Sequence, residues 1–389
     1  MSFYDTCARA MAQPLDGMVA AKTGDDVLRA LDRRSPTPDD FLALLSPAAD
    51  AHLEAMAQRA RELTIRHFGR QVLLFTPLYL SNFCTNKCLY CGFSARNHIH
   101  RSQLTLDEVR AEGKAIAATG LKHLLILTGD HRAKAGPDYL LACLEVLAPL
   151  FPSVSIEIYA MTEEEYAALG AAGLDGMTMF QETYDEALYA PLHPAGPKRD
   201  FRFRLDAPER ACRAGLRTVN VGALLGLTDW RRDAFLTGLH ARHLQRAYPA
   251  VEVSISLPRM RPHEGVFQPA CTVTDRQLVQ VLCAHRIFLP HAGITLSTRE
   301  AAPLRDRIVG LGVTKISAGV STAVGGHAKG AGAEDTSQFE ISDPRSVPQM
   351  DAALRGLGLQ PVYKDWQPFR PAVRPQATAP CGAAAPGAA

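Results

Sequence analysis

The chain has 389 residues and carries 42 lysine or arginine side chains against 40 aspartate or glutamate, a formal charge of +2 at pH 7. This balance, without any block of five or six like charges, disfavours nucleic acid as a partner. Because there is no apolar run of about 18 residues and no basic, apolar leader pattern at the start, the sequence predicts a soluble, cytoplasmic protein that does not bind a membrane.

The first 70 residues show helical apolar periodicity, clearest over 47–68, and no strand signal. They predict a helical N-terminal extension, residues 1–70. From residue 71 onward, short apolar runs alternate with amphipathic stretches. Strands are predicted at 72–80, 123–128, 153–159, 176–180, 218–223, 252–256, 294–297 and 314–318. Helices are predicted between them at 105–119, 137–150, 162–172, 208–214, 231–248, 274–288 and 304–311.

The ends of these helices carry recurring signals. A threonine followed three residues later by a carboxylate or amide predicts a capping box at Thr105/Glu108, Thr162/Glu165 and Thr274/Gln277. A glycine beside an apolar residue predicts a left-handed helix end at Gly120, Gly173, Gly215, Gly293 and Gly312. The repetition indicates a single βα unit used many times.

Eight βα units within residues 71–320 predict an α/β fold of the (β/α)8 TIM-barrel type. The same alternation permits an open doubly wound sheet, which is the alternative. Residues 321–370 are predicted to form a C-terminal extension that packs on the barrel. The Pro/Ala-rich residues 371–389 predict a disordered tail, because they cannot bury a core.

Three of the nine cysteines, Cys84, Cys88 and Cys91, follow the first predicted strand with the spacing C-x3-C-x2-C. In a reducing compartment such a cluster predicts a metal centre and not a disulfide framework. The spacing favours an iron–sulfur cluster with three thiolate ligands and one iron left open for a small molecule. The alternative is a structural zinc protein in which His98 or His100 supplies a fourth ligand.

With Tyr90 just before the last cysteine, this segment resembles the signature of the radical S-adenosylmethionine (SAM) superfamily. The resemblance implies a [4Fe-4S] cluster whose open iron holds the amino and carboxylate groups of SAM. An electron from the cluster then splits SAM into methionine and a 5′-deoxyadenosyl radical. The barrel prediction agrees, since catalytic groups in such barrels lie at the carboxyl ends of the strands.

The resemblance extends over residues ~65 to 367, which is most of the chain. Ordered blocks such as HLLILTGDH, FQETYDEALYAPLH, VGALLGLTDWR, SLPRMRP and QPVYKDW are similar to those of the 2-iminoacetate synthases, the tyrosine lyases of bacterial thiamin-thiazole biosynthesis. This implies cleavage of the Cα–Cβ bond of L-tyrosine to 2-iminoacetate (dehydroglycine) and p-cresol. The implied partners are a thiazole synthase, which must receive the readily hydrolysed product, and a flavodoxin- or ferredoxin-type electron donor.

Two related lyases are the alternatives within the superfamily. One cleaves tryptophan and shares the cluster and a carboxylate-binding arginine. The other acts in hydrogenase maturation and carries a second cluster on a C-terminal cysteine motif. Because only Cys381 follows Cys283 in this chain, a second cluster is not expected.

The resemblance also assigns cofactor-binding residues. Gly129 and Asp130, after the second strand, correspond to the segment that holds the SAM ammonium, although relatives usually carry glutamate in place of Asp130. Glu157, in the third strand, needs a cationic or hydroxyl partner if it is buried, and SAM is one candidate. The alternative is a structural ion pair with a neighbouring strand. The full set of expected SAM-binding residues is Tyr90, Gly129, Asp130, Glu157, Gln181, Glu182 and Arg204, with Arg204 expected at the SAM carboxylate.

Three further residues are expected to act on the substrate. Arg299, at the end of the seventh strand, could bind an amino-acid carboxylate with both arms of its guanidinium group. The alternative for this residue is a salt bridge to Glu300 or Asp306. Ser317, at the end of the eighth strand, could add a hydroxyl contact, and Tyr79 flanks the cluster.

Overall fold

The computed structural model describes residues 2–261, 267–328 and 338–364. Helices occupy most of residues 2–70. Their α-helices are α1 (Phe3–Met11), α2 (Leu15–Ala20), α3 (Gly24–Asp32), α4 (Pro38–Leu45) and α5 (Leu53–Phe68), with a 3-10 helix at Pro47–His52. The proposed tail at 371–389 lies outside the described residues.

Strands and helices then alternate along the chain. The strands are β1 (Gln71–Ser81), β2 (His123–Thr128), β3 (Ser153–Glu157), β4 (Leu174–Glu182), β5 (Thr218–Ala223), β6 (Glu252–Ser256), β7 (Gly293–Leu296), β8 (Lys315–Ser317) and β9 (Gln360–Val362). The helices are α6 (Leu106–Ala118), α7 (Pro137–Leu147), α8 (Glu163–Ala171), α9 (Glu186–Leu192), α10 (Phe201–Leu205), α11 (Ala207–Arg213), α12 (Trp230–Ala247), α13 (Asp275–Phe288), α14 (Ala302–Gly312) and α15 (Val347–Gly356), with a 3-10 helix at Pro197–Arg199.

Among the described residues these strands form a single parallel sheet in the order β2-β3-β4-β5-β6-β7-β8-β1-β9. A further pairing of β1 with β2 closes the first eight strands into a barrel. The closed (β/α)8 prediction is therefore confirmed, and the open-sheet alternative is wrong. The short strand β9 was not predicted from the sequence. It forms by pairing with the first residues of the long strand β1, a contact between distant parts of the chain that no local pattern reveals.

The pairing register fixes the tilt of the strands. When the register of each strand pair is continued along its strands, the path from Tyr79 passes through Leu127 and Glu157 to Asn220 and returns to β1 at Gln71. Since the path returns eight residues below its start, the barrel has the shear of eight that is typical of this fold. Each step to the next paired strand therefore descends by one residue along the barrel axis.

The predicted helix starts are confirmed, and the predicted helix ends are confirmed in part. All three capping boxes form as expected. Gly120, Gly173 and Gly215 have positive φ angles of 92°, 104° and 85°. The left-handed prediction is wrong for Gly293 and Gly312, which lack positive φ.

The N-terminal helices are anchored to the barrel by polar as well as apolar contacts. The backbone amide of Phe3 donates to Glu209 Oε1 at 2.8 Å, and its ring stacks on His240 with centroids 4.2 Å apart. Helix α1 thus closes over the outer surface of α12. In the described ranges, no helix combines the length and the apolar character needed to cross a membrane.

Candidate active site

The barrel encloses a cavity of about 360 Å³ that is lined by the inward-facing residues of its strands. Barrels of this type are usually filled by large aliphatic side chains, whereas here many inward positions carry serine or threonine. Four of the expected site residues from four different strand ends line this cavity, namely Tyr79, Glu157, Arg299 and Ser317. Closure of the barrel therefore brings together residues that are up to 238 positions apart in the sequence.

The loop that carries the three cysteines is fastened to the end of β2. Thr85 donates to the carbonyl of Asp130 from both its backbone amide, at 2.8 Å, and its hydroxyl, at 2.9 Å. Asn86 Nδ2 donates to Asp130 Oδ2 at 2.7 Å. A Cβ atom on Gly129 would lie 2.2 Å from the carbonyl oxygen of Phe83, so only glycine allows this approach. Asp130 and Gly129 thus shape the cysteine loop.

Arg101, which sequence reasoning missed, holds the other side of this loop. Its Nη1 donates to the carbonyls of Asn82, at 2.6 Å, and Phe93, at 2.8 Å, while Nη2 donates to that of Ser94 at 2.7 Å. Asn82 in turn donates from Nδ2 to the carbonyl of His100 at 2.8 Å. One guanidinium group therefore joins the two ends of the cysteine segment. No sequence signal marked Arg101, because its partners are backbone carbonyls.

The three cysteines lie within electrostatic reach of one another. Burial raises the pKa of the Cys88 thiol to about 12 and also raises that of Cys91, while the charge of Lys198 acts in the opposite direction on both. Buried thiolates need positive charge nearby, and the irons of a cluster provide it. In the part of the chain that is described, no three His, Cys, Asp or Glu side chains are arranged to hold a single metal ion.

Glu182 ends β4 in an unusual backbone conformation, with φ at 71°, which no other non-glycine residue shares among those described. Its Oε1 accepts from Lys198 Nζ at 2.5 Å and from Arg204 Nη2 at 3.4 Å. Arg204 Nε also donates to the carbonyl of Phe180 at 2.8 Å. Burial alone would raise the pKa of Glu182, but Lys198 and Arg204 outweigh it and hold that pKa below its usual value. This carboxylate therefore stays ionised between two cations.

Lys198 is the second functional candidate that the sequence did not reveal. It lies on the 3-10 helix after α9, and its ammonium sits 5.4 Å from the ring centroid of Tyr90. Tyr90 hydrogen-bonds His193 Nε2 at 2.6 Å, so its hydroxyl is held by this contact. Burial lowers the pKa of His193 to about 3, which keeps this histidine neutral. Tyr90 and Cys88 belong to one small cluster of buried apolar residues.

Several buried polar atoms around the cysteine loop have no hydrogen-bond partner in the described residues. They are Thr128 Oγ1, Asp130 Oδ1 and Gln181 Oε1, all at the carboxyl ends of β2 and β4. Buried acceptors without partners are costly and are expected where a ligand supplies donors. Together with the cations Lys198 and Arg204, these atoms fit the ammonium and carboxylate groups of SAM.

The side chains of the four residues 181–184, at and just after the end of β4, point in two directions. Thr183 Oγ1 and the backbone amide of Tyr184 donate to Asp233 Oδ1, at 3.1 and 2.8 Å, and Tyr184 hydrogen-bonds His240. These contacts point toward helix α12. Gln181 and Glu182, in contrast, face the barrel end, with Gln181 Nε2 donating to the carbonyl of Phe201 at 3.3 Å.

Arg299 has no carboxylate partner among the described residues. Glu300 pairs with Arg259, and Asp306 pairs with Arg345, so the salt bridge weighed as an alternative for Arg299 does not form. Its guanidinium carbon instead lies 3.6 Å from the ring centroid of Phe339. Burial lowers the pKa of Arg299, yet an arginine remains charged at any physiological pH. The cavity thus holds a cation that is free to bind an anion.

Glu157 lines the same cavity as this cation. Glu157 makes no hydrogen bond or ion pair with another side chain in the described ranges, so the ion pair weighed as the alternative does not form there. Burial raises the pKa of Glu157 to about 7, with the charge of Arg299 opposing the shift. The carboxyl group can therefore hold or release a proton near neutral pH.

Tyr79 and Ser317 complete the cavity wall. The Tyr79 hydroxyl donates to Gln338 Oε1 at 2.7 Å, and its ring meets Phe93 edge-on with centroids 5.8 Å apart. Burial raises the pKa of Tyr79, so the phenol stays protonated. The hydroxyl of Ser317 is buried and has no partner in the described part of the chain, while its carbonyl accepts from Arg305.

Comparison with known proteins agrees with this geometry. A model of the radical SAM superfamily matches residues 78–237, and one of the Biotin and Thiamin Synthesis associated domain matches residues 256–360. The chain is 44% identical over 352 residues to the 2-iminoacetate synthase of Escherichia coli (strain K12), which covers 90% of this chain and 93% of that protein. It is 42% identical over 349 residues to the 2-iminoacetate synthase of Salmonella typhimurium (strain LT2), which covers 90% of this chain and 92% of that protein. Among solved structures it resembles HydG, a maturase of the [FeFe]-hydrogenase, with a TM-score of 0.82 and 29% identity over 93% of this chain and 79% of that chain.

Proposed function

The chain belongs to the 2-iminoacetate synthase family of the radical SAM superfamily, and we propose that the polar side chains around its barrel cavity carry out that family's reaction. It is a carbon–carbon lyase that cleaves the Cα–Cβ bond of L-tyrosine to give 2-iminoacetate and p-cresol, for the thiazole moiety of thiamin. Its cofactors, a [4Fe-4S] cluster and SAM, supply when bound the 5′-deoxyadenosyl radical that takes a hydrogen atom from the substrate amino group.

The observation that carries the residue assignments is the guanidinium of Arg299, which lies at the carboxyl end of the barrel without a carboxylate partner in the described residues. A tyrosine carboxylate supplies the missing anion, and a bidentate contact also fixes its orientation. For this contact to form, the ring of Phe339 must share or yield its place over the guanidinium. The phenol of Tyr79 and the unpartnered hydroxyl of Ser317 are further hydrogen-bonding groups on the same wall.

The cofactor assignments rest on the groups that surround the cysteine loop. Cys84, Cys88 and Cys91 are the cluster ligands of this proposal. The SAM-binding residues are drawn from both sides of the loop and comprise Tyr90, Gly129, Asp130, Glu157, Gln181, Glu182 and Arg204. Of these, Asp130 and Gln181 each offer an unpartnered acceptor for the SAM ammonium. Arg204 offers its charge to the carboxylate, while Tyr90 acts through packing against Cys88.

We further propose two protein partners and a cytoplasmic location for this chain. A thiazole synthase is expected to receive 2-iminoacetate, because that imine hydrolyses in water. A flavodoxin- or ferredoxin-type protein is expected to reduce the cluster. The eight cysteines of the described residues are all free thiols, which fits a reducing, cytoplasmic environment.

Anaerobic reconstitution followed by product analysis tests this function. The protein should bind about four irons per chain, and with tyrosine, SAM and a strong reductant it should release p-cresol and 5′-deoxyadenosine together. Replacing Cys88 with alanine should abolish the cluster, whereas replacing Cys143, which is buried in α7, should leave the iron content unchanged. Turnover of tryptophan but not of tyrosine would overturn the assignment of tyrosine as the substrate. A protein that contains zinc and no iron after reconstitution would overturn the assignment of a radical SAM reaction.

A further inference from the structure

The inner wall of the barrel has two chemically different halves. The side formed by β1 and β2 carries the apolar residues Leu73, Phe75, Leu125 and Leu127. The opposite side carries short polar residues, among them Ser155, Thr178, Asn220, Ser256 and Thr295. A cavity of this kind suits a ligand that is apolar over most of its surface and polar at one point.

Asn220 lines this polar half, and the nitrogen of its side-chain amide already has hydrogen-bond partners. Its Nδ2 donates to Ser256 Oγ at 2.8 Å and to Thr178 Oγ1 at 3.4 Å. Its Oδ1 is buried and has no hydrogen-bond partner within the described residues. A buried amide oxygen without a donor costs free energy, so this position is expected to be satisfied by a bound molecule.

We propose that Asn220 accepts a hydrogen bond from the phenol hydroxyl of the tyrosine substrate and so selects tyrosine over phenylalanine. This inference rests on the proposed function, because it takes Arg299 as the site of the substrate carboxylate. The hydroxyls of Thr178 and Ser256 position the Asn220 amide from the neighbouring strands β4 and β6.

The register of the barrel places Asn220 at the depth that this role requires. When the β3–β4 register is continued by one residue, the path from Tyr79 reaches Asn220 after four strand-to-strand steps, so Asn220 lies four residues lower, across the barrel from Tyr79. With a rise of about 3.3 Å per residue and a tilt of about 36°, four residues correspond to about 11 Å along the axis. Arg299 is within electrostatic reach of Tyr79 at the upper level.

Tyrosine matches this distance. Standard bond lengths give about 8 Å between its carboxylate carbon and its phenol oxygen, and a hydrogen bond at each end extends the span. The ring then lies between the apolar wall of β1 and β2 and the short hydroxyl side chains opposite. Phenylalanine would bury the same ring but leave Asn220 Oδ1 without a donor, and such a mismatch in a closed site is strongly discriminating.

Binding without turnover tests the proposal. The anaerobic holoenzyme with SAM but no reductant is titrated with tyrosine and with phenylalanine, and the dissociation constants are measured by equilibrium dialysis. The wild-type protein should prefer tyrosine by about tenfold or more, the value of one buried hydrogen bond. Asn220→Ala should bring the two dissociation constants to within about twofold of each other, mainly because tyrosine binds more weakly.

Two further variants make the result specific. Thr218 lies on the same strand and lines the same cavity, two residues below Asn220, so Thr218→Val is the matched control and should keep the preference for tyrosine. Ser256→Ala removes a contact that holds the amide and should reduce the preference by a smaller factor. Iron content and thermal unfolding of each variant verify that it is folded and loaded.

The outcomes separate this inference from the proposed function. An unchanged tyrosine preference in Asn220→Ala overturns the role of Asn220, even if the wild-type protein makes p-cresol. If Asn220→Ala does not fold, an unchanged preference for tyrosine over phenylalanine in Ser256→Ala overturns the role of Asn220 instead. A wild-type holoenzyme that forms no p-cresol from tyrosine overturns the proposed function itself.

Discussion

Arg305 and Asp343 form an ion pair whose side chains are only 1% and 0% exposed. The same guanidinium donates to the carbonyl of Ser317 at the end of β8. The pair therefore joins the end of a barrel strand to the segment that carries Phe339, the residue whose ring covers Arg299. A buried ion pair thus connects the end of β8 to the segment whose Phe339 covers Arg299.

Breaking this pair should destabilise the protein strongly. Asp343→Asn leaves the buried guanidinium of Arg305 without its counter-charge, which costs about 3–5 kcal/mol for comparable pairs. The free energy of unfolding, measured by anaerobic denaturant titration, should fall by this order. The control is Asp50→Asn, which removes a surface pair with Arg276 in which both side chains are 58% exposed, and should change stability by less than about 1 kcal/mol. Equal effects of the two variants would contradict the prediction.

Loss of the Arg299 guanidinium should weaken substrate binding while the cluster stays intact. Charge-assisted hydrogen bonds contribute about 1.5–3 kcal/mol, so Arg299→Leu should raise the dissociation constant of tyrosine by about tenfold to a hundredfold. The iron content and the electron paramagnetic resonance change on adding SAM should match those of the wild-type protein. Arg276→Leu, at the surface, serves as the control. An unaltered tyrosine affinity in Arg299→Leu would remove this residue from the substrate site.

A methyl group at position 129 should displace the cysteine loop. In Gly129→Ala the new Cβ would meet the carbonyl of Phe83 at 2.2 Å, so the backbone must move. The variant should incorporate less iron during reconstitution and bind SAM more weakly. Gly310→Ala is the matched control, because a Cβ there meets nothing within 4 Å and lies in helix α14. Full cluster occupancy and normal SAM affinity in Gly129→Ala would show that the loop tolerates the shift.

The attachment of helix α1 should depend on pH through Glu209. Although burial raises the pKa of this carboxyl, its contacts with His243, the Phe3 amide and Tyr248 lower that pKa to about 2. A depressed pKa stabilises the fold above the unfolded value of about 4.3, and this contribution is lost as the pH falls from there toward 2. Lowering the pKa of this carboxyl from about 4.3 to about 2 corresponds to about 3 kcal/mol of stability.

Unfolding measured at pH 7 and at pH 3 checks this prediction. Glu209→Gln should lower the stability of the protein at pH 7, and its stability should change less than that of the wild-type protein between the two pH values. Glu252→Gln is a comparison, since the side chain of Glu252 is 56% exposed and its ion pair with Arg217 lies at the surface. A pH response of Glu209→Gln identical to that of the wild-type protein would assign the acid sensitivity to other groups.

The sequence determined the local features of this protein. Seven of the predicted βα helices and all eight barrel strands appear within a few residues of their expected bounds, because apolar periodicity and capping residues act over one or two turns of chain. Helices α9, α10 and α15 were missed, and α9 contains a proline, Pro191, that breaks the helical pattern. The three cysteines were likewise evident, since their spacing is local and chemically distinctive.

Only the tertiary structure decided which distant residues meet. Lys198 reaches Glu182, Arg101 binds the cysteine loop through backbone carbonyls, and Asn220 comes to lie four residues below Tyr79 across the barrel. None of these relationships has a signature in the local pattern. They follow from the closure of the barrel and its shear of eight, which fix the height of every inward side chain relative to residues on strands far away in the sequence.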